Sequence, residues 1–262
     1  MKPNPLRLKL EAGETIYGTM SQDSRSPSIS LIMEQAGCDF MFFDMEHGPN
    51  DIGVVTDMVK VARGTKVVPL IRVPDDQYHL MARVLDAGAM GVMVPRVETR
   101  GQVERIIENT HYPPIGVRGC SVPKGHNDFI PQNVWEFTEQ ANREAMIILQ
   151  IEREKAIENI DELLSVDGVD ACVLGPVDLS LSMGIRDKDV FAALEATIQT
   201  VLDSAKKHKV PCGIHIGNLD WLIEWDKRGM QVICYSNDIV FLRSGATAGI
   251  SKLRVAAQKN TK

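Results

Sequence analysis

The sequence predicts an α/β protein of the (β/α)8 (TIM) barrel class, and three observations predict it. Short β-rich runs recur eight times, at 15–20, 39–46, 66–73, 91–97, 145–152, 169–175, 210–217 and 230–236, which is the strand count of a closed parallel barrel. Segments of helical spacing lie between most of them. No GxGxxG or GxxxxGK[ST] turn is present, and without one an open, nucleotide-binding sheet loses its main support. With 262 residues, 44% hydrophobic and 24% charged, the chain can build one sizeable core. No linker or low-complexity tract divides it, so residues 1–262 read as a single domain.

The segments between the strands carry patterns of their own. After the second strand, residues 50–63 place Ile52, Val55, Met58, Val59 and Ala62 at near-helical spacing, with Asn50 or Asp51 to cap the start. After the third, residues 75–87 repeat the pattern with Leu80, Met81, Val84 and Leu85. Between the fourth strand and the fifth lie almost fifty residues, including Tyr112-Pro113-Pro114-Ile115-Gly116-Val117-Arg118-Gly119-Cys120-Ser121. Pro and Gly this dense do not make a simple helix, so an ordered excursion above the reactive face is expected, serving as a lid or a subunit contact. Residues 187–209 form a long helix without Pro or Gly, and its closing Lys206-Lys207-His208-Lys209 complements the helix dipole.

Composition removes several functions. The net charge of −6 without a basic tract argues against nucleic-acid binding. No apolar run is long enough to span a membrane, and the first residues lack a signal-peptide core. The five cysteines have no metal-like spacing, and Cys172, Cys212 and Cys234 fall in strands. They read as free thiols in a reducing cytoplasm.

Chemistry concentrates at strand ends. Ile147-Ile148-Leu149-Gln150-Ile151-Glu152 and Val173-Leu174-Gly175-Pro176-Val177-Asp178 are apolar runs that finish in acids. As parallel barrel strands they bring Glu152 and Asp178 to the carboxyl-terminal face, where two carboxylates suit a hard cation such as Mg²⁺ or Mn²⁺. Alternation places Phe40, Phe42, Asp44 and Glu46 on one face with His47 at the exit, Leu70 with Arg72, and Ile148 with Gln150 and Glu152. A core strand would finish in apolar groups; several strands ending in polar ones point to an active site. An α-keto acid could chelate the ion, with first-turn N–H groups at 175–180 receiving its carboxylate. Arg72 could stabilise an enolate oxygen, and Asp44 with His47 could form a proton-transferring dyad. Simpler readings stand beside these: Asp44 as a helix cap, His47 as a loop histidine, Arg72 as a structural partner of Asp44, and Gln150 bonded to backbone. His79, His111, His126 and His208 read as solvated, and His215, near the end of the seventh strand, reads better as core than as site. No lysine stands at an inward strand end, which disfavours Schiff-base chemistry.

With those residues placed, the chain resembles the HpcH/HpaI family of metal-dependent (class II) pyruvate aldolases from about Tyr17 to the mid-250s. The likeness rests on Phe43-Asp44-Met45-Glu46-His47-Gly48-Pro49-Asn50, Pro69-Leu70-Ile71-Arg72-Val73-Pro74 and Leu85-Asp86-Ala87-Gly88-Ala89, followed by Pro113-Pro114-Ile115-Gly116-Val117-Arg118-Gly119, Gln150-Ile151-Glu152 and Gly175-Pro176-Val177-Asp178-Leu179-Ser180. The resemblance implies a barrel that exchanges its last helix between subunits, a homo-oligomer arranged as a trimer of dimers, and reversible cleavage of 4-hydroxy-2-oxo acids to pyruvate and an aldehyde. It implies Glu152 and Asp178 as ligands of Mg²⁺, Mn²⁺ or Co²⁺, His47 as the acid–base with Asp44 as its partner, and Arg72 at the pyruvyl oxygen. Gln150 would lie beside the metal, Asp86 would approach a neighbouring subunit's site, and the Val177 and Asp178 N–H groups would meet the substrate carboxylate. The chain departs from the family at 120–126, at Ser236, near which a glycine is common, and at His215, usually apolar; these departures bear on the aldehyde pocket. The rival readings are an acyl-CoA lyase of the citrate-lyase β-subunit type and a non-catalytic keto-acid-binding barrel.

Overall fold

The computed structural model describes residues 2–186 and 190–259. Its strands are β1 (Ile16–Ser21), β2 (Phe40–Asp44), β3 (Val68–Arg72), β4 (Gly91–Val94), β5 (Met146–Ile151), β6 (Ala171–Leu174), β7 (Cys212–Ile216) and β8 (Val232–Asn237). They pair in parallel, each with the next, and β8 closes on β1. The expected barrel is present, and every strand overlaps its expected run. The first helices are α1 (Pro5–Glu11), α2 (Ile29–Gln35), α3 (Ile52–Ala62), α4 (Tyr78–Ala87), α5 (Arg100–Thr110) and α6 (Val134–Glu144). The rest are α7 (Glu154–Glu158), α8 (Ile160–Leu164), α9 (Pro176–Ser182), α10 (Val190–His208), α11 (Leu219–Lys227) and α12 (Asp238–Lys259). Asp51, whose side chain accepts the Val54 N–H at 3.0 Å, caps α3. The expected start of the long helix at Asp187 lies outside the described residues; α10 is observed from Val190.

Alternation divides the core in two. Phe40, Phe42, Leu70, Met93, Ile148, Val173 and Cys234 fill the barrel, whereas Met41, Phe43, Ile71, Ile147, Leu149, Leu174 and Ile214 pack against the helices. Leu6 and Leu10 of α1 belong to the inner cluster, where they join Ile16, Val68 and Met146 and close the amino-terminal end of the barrel. Asn4 caps α1 by accepting the Leu6 N–H at 3.1 Å, and its amide nitrogen donates to the Met90 and Glu144 carbonyls.

The excursion lies at the opposite end from the place the sequence suggested. α5 carries the chain back down the barrel before the Pro–Gly segment begins, so the segment leaves from the amino-terminal end. There Arg118 donates to Asp86 at 2.6 Å near the end of α4, and a Cβ on Gly125 would run into the Ala87 carbonyl. It therefore does not lid its own barrel's reactive face. Its exposed Ile115, Val117, Phe129 and Ile130, with Trp135 at the start of α6, suit a subunit contact instead. His111 and His126, expected in solvent, are 5% and 1% exposed because this segment folds back onto α4 and α6; His126 stacks on Phe137 with centroids 4.5 Å apart. Cys172, Cys212 and Cys234 are free and buried, as expected.

α12 is the exception among the helices. Leu242, Ile250, Leu253 and Val255 are all at least half exposed, so the helix projects away from the barrel. A groove of about 260 Å³ remains on the outer face of β1 and β8, between Ala36–Cys38 and α11, lined by Tyr17, Leu222, Ile223 and Ile233.

Candidate active site

The site forms where the strands end. Asp44 and Arg72 are register partners on β2 and β3, and both side chains point inward. Arg72 Nε and Nη2 donate to the two Asp44 carboxylate oxygens at 2.8 and 2.5 Å. The pair is buried, with Asp44 0% and Arg72 3% exposed. Burial alone would push the Asp44 carboxyl up, but the guanidinium and the backbone N–H groups of Glu46 and His47 outweigh it and hold the carboxyl below its ordinary value.

This arrangement corrects the expected Asp44–His47 dyad. β2 stops at Asp44, and its carboxylate oxygen accepts the Glu46 N–H at 2.9 Å and the His47 N–H at 3.4 Å, so the carboxylate is spent on the turn and on Arg72. Among the described residues no ion pair or hydrogen bond joins Asp44 to the imidazole. The carboxylate nearest the ring is Glu46, whose Oε2 lies 3.9 Å from His47 Nε2 and 3.3 Å from Arg72 Nη1, while its Oε1 lies 3.8 Å from Arg96 Nε. Sequence reasoning placed Glu46 on the right face but gave it no role. The missed signal was the turn: a carboxylate two residues beyond the strand end can face an imidazole that the last strand residue cannot. Burial raises the Glu46 carboxyl, against the pull of Arg72, His47 and Arg96.

Across the mouth, Gln150 is the last inward residue of β5 and Glu152 follows it. The Gln150 amide donates to Glu152 Oε2, and the Arg96 N–H donates to Glu152 Oε1 at 2.9 Å. Arg96, also unforeseen, reaches this position with φ +56°, in the left-handed region that turns the chain sharply after β4. Glu152 is 3% exposed. Burial first, then the Glu46 and Asp178 charges, push its carboxyl up to about 7. Gly175 ends the neighbouring β6 turn, where a Cβ would stand 2.9 Å from Glu152 Oε2 and 3.0 Å from Gln150 Nε2. Glycine here lets α9 start close to both side chains as they stand, with Pro176 at its first position and Asp178 in its first turn.

The donor set fits a hard divalent cation. Glu152 is buried with its carboxyl raised, in part by the charge of Asp178, and the Gln150 Oε1 is buried without a partner. Oxygen donors and an uncompensated negative field are what such an ion requires. Among the described residues no group of three or more His, Cys, Asp or Glu converges as a cage, so a cation held here would take its remaining ligands from water and substrate.

His215 and Asp86 fall differently. His215 points inward from β7, and its Nε2 donates to the Ser236 carbonyl at 3.0 Å. Asp86 is not brought to its own chain's site: α4 runs antiparallel to the strands, and Asp86, at its far end, pairs with Arg118 at 2.6 Å and lies 3.6 Å from His126 Nδ1.

Residues 21–227 match the model of the HpcH/HpaI aldolase/citrate lyase family. The chain belongs to this family. Among its relatives, a 5-keto-4-deoxy-D-glucarate aldolase of Salmonella arizonae is 31% identical over 93% of this chain and 94% of its own. One from Salmonella paratyphi A is 33% identical over 81% and 82%. The crystal structure of an HpcH/HpaI aldolase from Desulfitobacterium hafniense superposes with a TM-score of 0.91 at 32% identity, covering 95% of this chain and 96% of that one. The chain shares its fold more distantly with a Mycobacterium tuberculosis citrate lyase β subunit, complexed with oxaloacetate and magnesium, at a TM-score of 0.57 and 15% identity over 88% of this chain and 93% of that one.

Proposed function

We propose that the protein is a divalent-metal-dependent aldolase that reversibly cleaves a 4-hydroxy-2-oxo acid to pyruvate and an aldehyde. The observation that carries this reading is the pairing of two half-sites across one barrel mouth. Glu152, Gln150 and Asp178 stand on β5 and the β6 turn; Arg72, Glu46 and His47 stand on β3 and the β2 turn. Glu152 and Asp178 would hold Mg²⁺ or Mn²⁺ (Co²⁺ also suits the donors), which when bound polarises the keto carbonyl and supplies the positive charge that the acids lack. Arg72 is held on two donors by Asp44 and keeps Nη1 turned to the Glu46 side, where it can donate to the keto oxygen as negative charge develops. Val177 and Asp178, in the first turn of α9, have N–H groups without an i−4 carbonyl partner, which would receive the substrate carboxylate. His47, its side chain 54% exposed beside Glu46, takes the proton of the 4-hydroxyl, after which the C3–C4 bond breaks and the aldehyde leaves. The enolate then takes a proton at C3 to become pyruvate; the synthetic direction reverses these steps. The relatives' substrate makes polyhydroxylated keto diacids the first class to test.

Exchange of pyruvate methyl protons in D₂O, followed by NMR with Mg²⁺, tests the reading without knowledge of the aldehyde. Exchange should require metal, stop with EDTA and fall at least about a hundredfold in Glu152→Ala. Absence of metal-dependent exchange, with turnover of a malyl- or citramalyl-CoA ester, would favour the acyl-CoA lyase; metal binding without any turnover would favour a keto-acid-binding barrel.

The same reading extends to assembly. The exposed positions of α12 and the groove on β1 and β8 are both apolar, so α12 of one copy would fill the groove of another in a homo-oligomer, with the trimer of dimers as the expected form. Among the described residues no helix is long and apolar enough to cross a membrane, and the buried free thiols suit a reducing cytoplasm.

A further inference from the structure

Strands β8 and β1 change register near the barrel mouth: Gly18 pairs with Cys234, but Met20 pairs with Asn237. One extra residue in β8 makes a bulge, and within it Ser236 has φ +54°, in the left-handed region that a residue with a Cβ adopts at a cost. Two flanking side chains satisfy the carbonyls that the bulge turns out of the ladder. Thr19 Oγ1 donates to the Tyr235 carbonyl at 2.8 Å and reaches the Ser236 carbonyl at 3.3 Å, where His215 Nε2 is the nearer donor at 3.0 Å. A carbonyl only accepts, so the proton sits on Nε2. Burial and the nearby Arg72 hold the imidazole below its ordinary range, which keeps it neutral.

The bulge directs the chain beyond β8. Asp238 turns back over β1, where its carboxylate accepts the N–H groups of Gln22 at 3.0 Å, Asp23 at 3.2 Å and Ser24 at 2.6 Å, and the Ser21 hydroxyl at 3.2 Å. That loop backs the turn beyond β2: a Cβ on Gly48 would run into the Gln22 carbonyl. The residue before Gly48 is His47.

We infer that His215 is a positioning residue, which clamps the Ser236 carbonyl and, through Asp238 and the 22–24 loop, fixes the backbone that carries His47. Apolar packing would be served as well by leucine, whereas the clamp needs an N–H donor at the position of Nε2. The kinetic consequence rests on the proposed role of His47; the structural consequence does not.

Three variants separate these roles. His215→Leu removes the donor, His215→Gln keeps an amide N–H at the end of the side chain, and Ser236→Gly adopts the left-handed backbone freely and so relies less on the clamp. In the full-length protein with Mg²⁺, amide hydrogen exchange at Gln22, Asp23 and Ser24 should rise about tenfold in His215→Leu, and return to within about threefold of wild type in His215→Gln and in His215→Leu/Ser236→Gly. Pyruvate methyl exchange should show a kcat reduced about tenfold in His215→Leu with KM within about twofold, and the same two rescues. Unchanged protection at 22–24 in a folded His215→Leu, or loss that neither rescue repairs, overturns the inference. If His215→Leu does not fold, His215→Met, which fills the space without an N–H, takes its place. Absence of methyl exchange in the wild type would sink the aldolase reading alone, and amide exchange would then decide the clamp.

Discussion

Arg72 is the residue that holds together the half of the site standing on β2 and β3. Its Nε and Nη2 are committed to Asp44 and its Nη1 faces Glu46, so one guanidinium joins the end of β2 to the carboxylate beside His47. Glu46 Oε2 thus lies between the guanidinium and the imidazole, 3.3 Å from Arg72 Nη1 and 3.9 Å from His47 Nε2. Glu46→Gln keeps the shape and removes the charge. It should reduce pyruvate methyl exchange by about ten- to a hundredfold while Mg²⁺ affinity, measured by calorimetry, changes little. A variant that exchanges at the wild-type rate would show that the Glu46–His47 approach has no part in proton transfer. Most of these residues could be read from the sequence, because strand alternation sorts inward from outward positions once the strand ends are known. The partner of His47 could not, because which carboxylate faces a ring depends on where the strand stops, and apolar pattern does not mark that boundary to the residue.

At the scale of elements, the eight strands were legible because buried parallel strands are continuous apolar runs. α1 was not: seven residues beginning at Pro5 carry too little periodicity, and its purpose appears only when Leu6 and Leu10 meet the inside of the barrel. The Pro–Gly excursion was legible as ordered but not in position, because composition does not say to which end of a barrel a helix has returned the chain. Its packing has a pH signature. His126 is buried among Arg118, Asp86 and Arg63; burial first, then the Arg118 charge, push its imidazole down to about 3. The unfolded chain binds that proton near pH 6.5 and the folded chain only near 3, so the stabilising difference is complete above about 6.5 and is lost as pH falls towards 3. The slope is at most about 1.4 kcal/mol per pH unit. Urea unfolding midpoints at pH 7.5 and 5.5 should therefore differ less in His126→Phe than in wild type, and equal differences would place the imidazole in contact with solvent.

At the scale of the whole molecule, a barrel whose last helix is exposed from Leu242 onward leaves two apolar surfaces, that helix and the β1–β8 groove, in water. Leu242 and Leu253 of α12 are 77% and 67% exposed, more than a helix of a stable monomer would leave bare. Leu253→Asp should shift the protein to a smaller species by light scattering at micromolar concentration, whereas an Asp at solvent-facing Ser251 should not. A wild-type monomer at that concentration would refute the exchange of α12. Because Asp86 and the excursion lie at the amino-terminal end, away from their own chain's carboxylates, any part they have in catalysis is exerted on a neighbour, and activity should then fall together with mass in the same variant.

The stopper that α1 makes of Leu6 and Leu10 has a consequence for traffic. A barrel closed at one end has a single doorway, and whatever binds deepest arrives first and departs last. Pyruvate, gripped at the Glu152 and Asp178 end of the mouth, would be behind the aldehyde. Cleavage should then follow an ordered sequence in which pyruvate competes with the 4-hydroxy-2-oxo acid for the empty enzyme, while the aldehyde inhibits noncompetitively. Steady-state product inhibition distinguishes this from random release, in which the aldehyde also competes with the oxo acid.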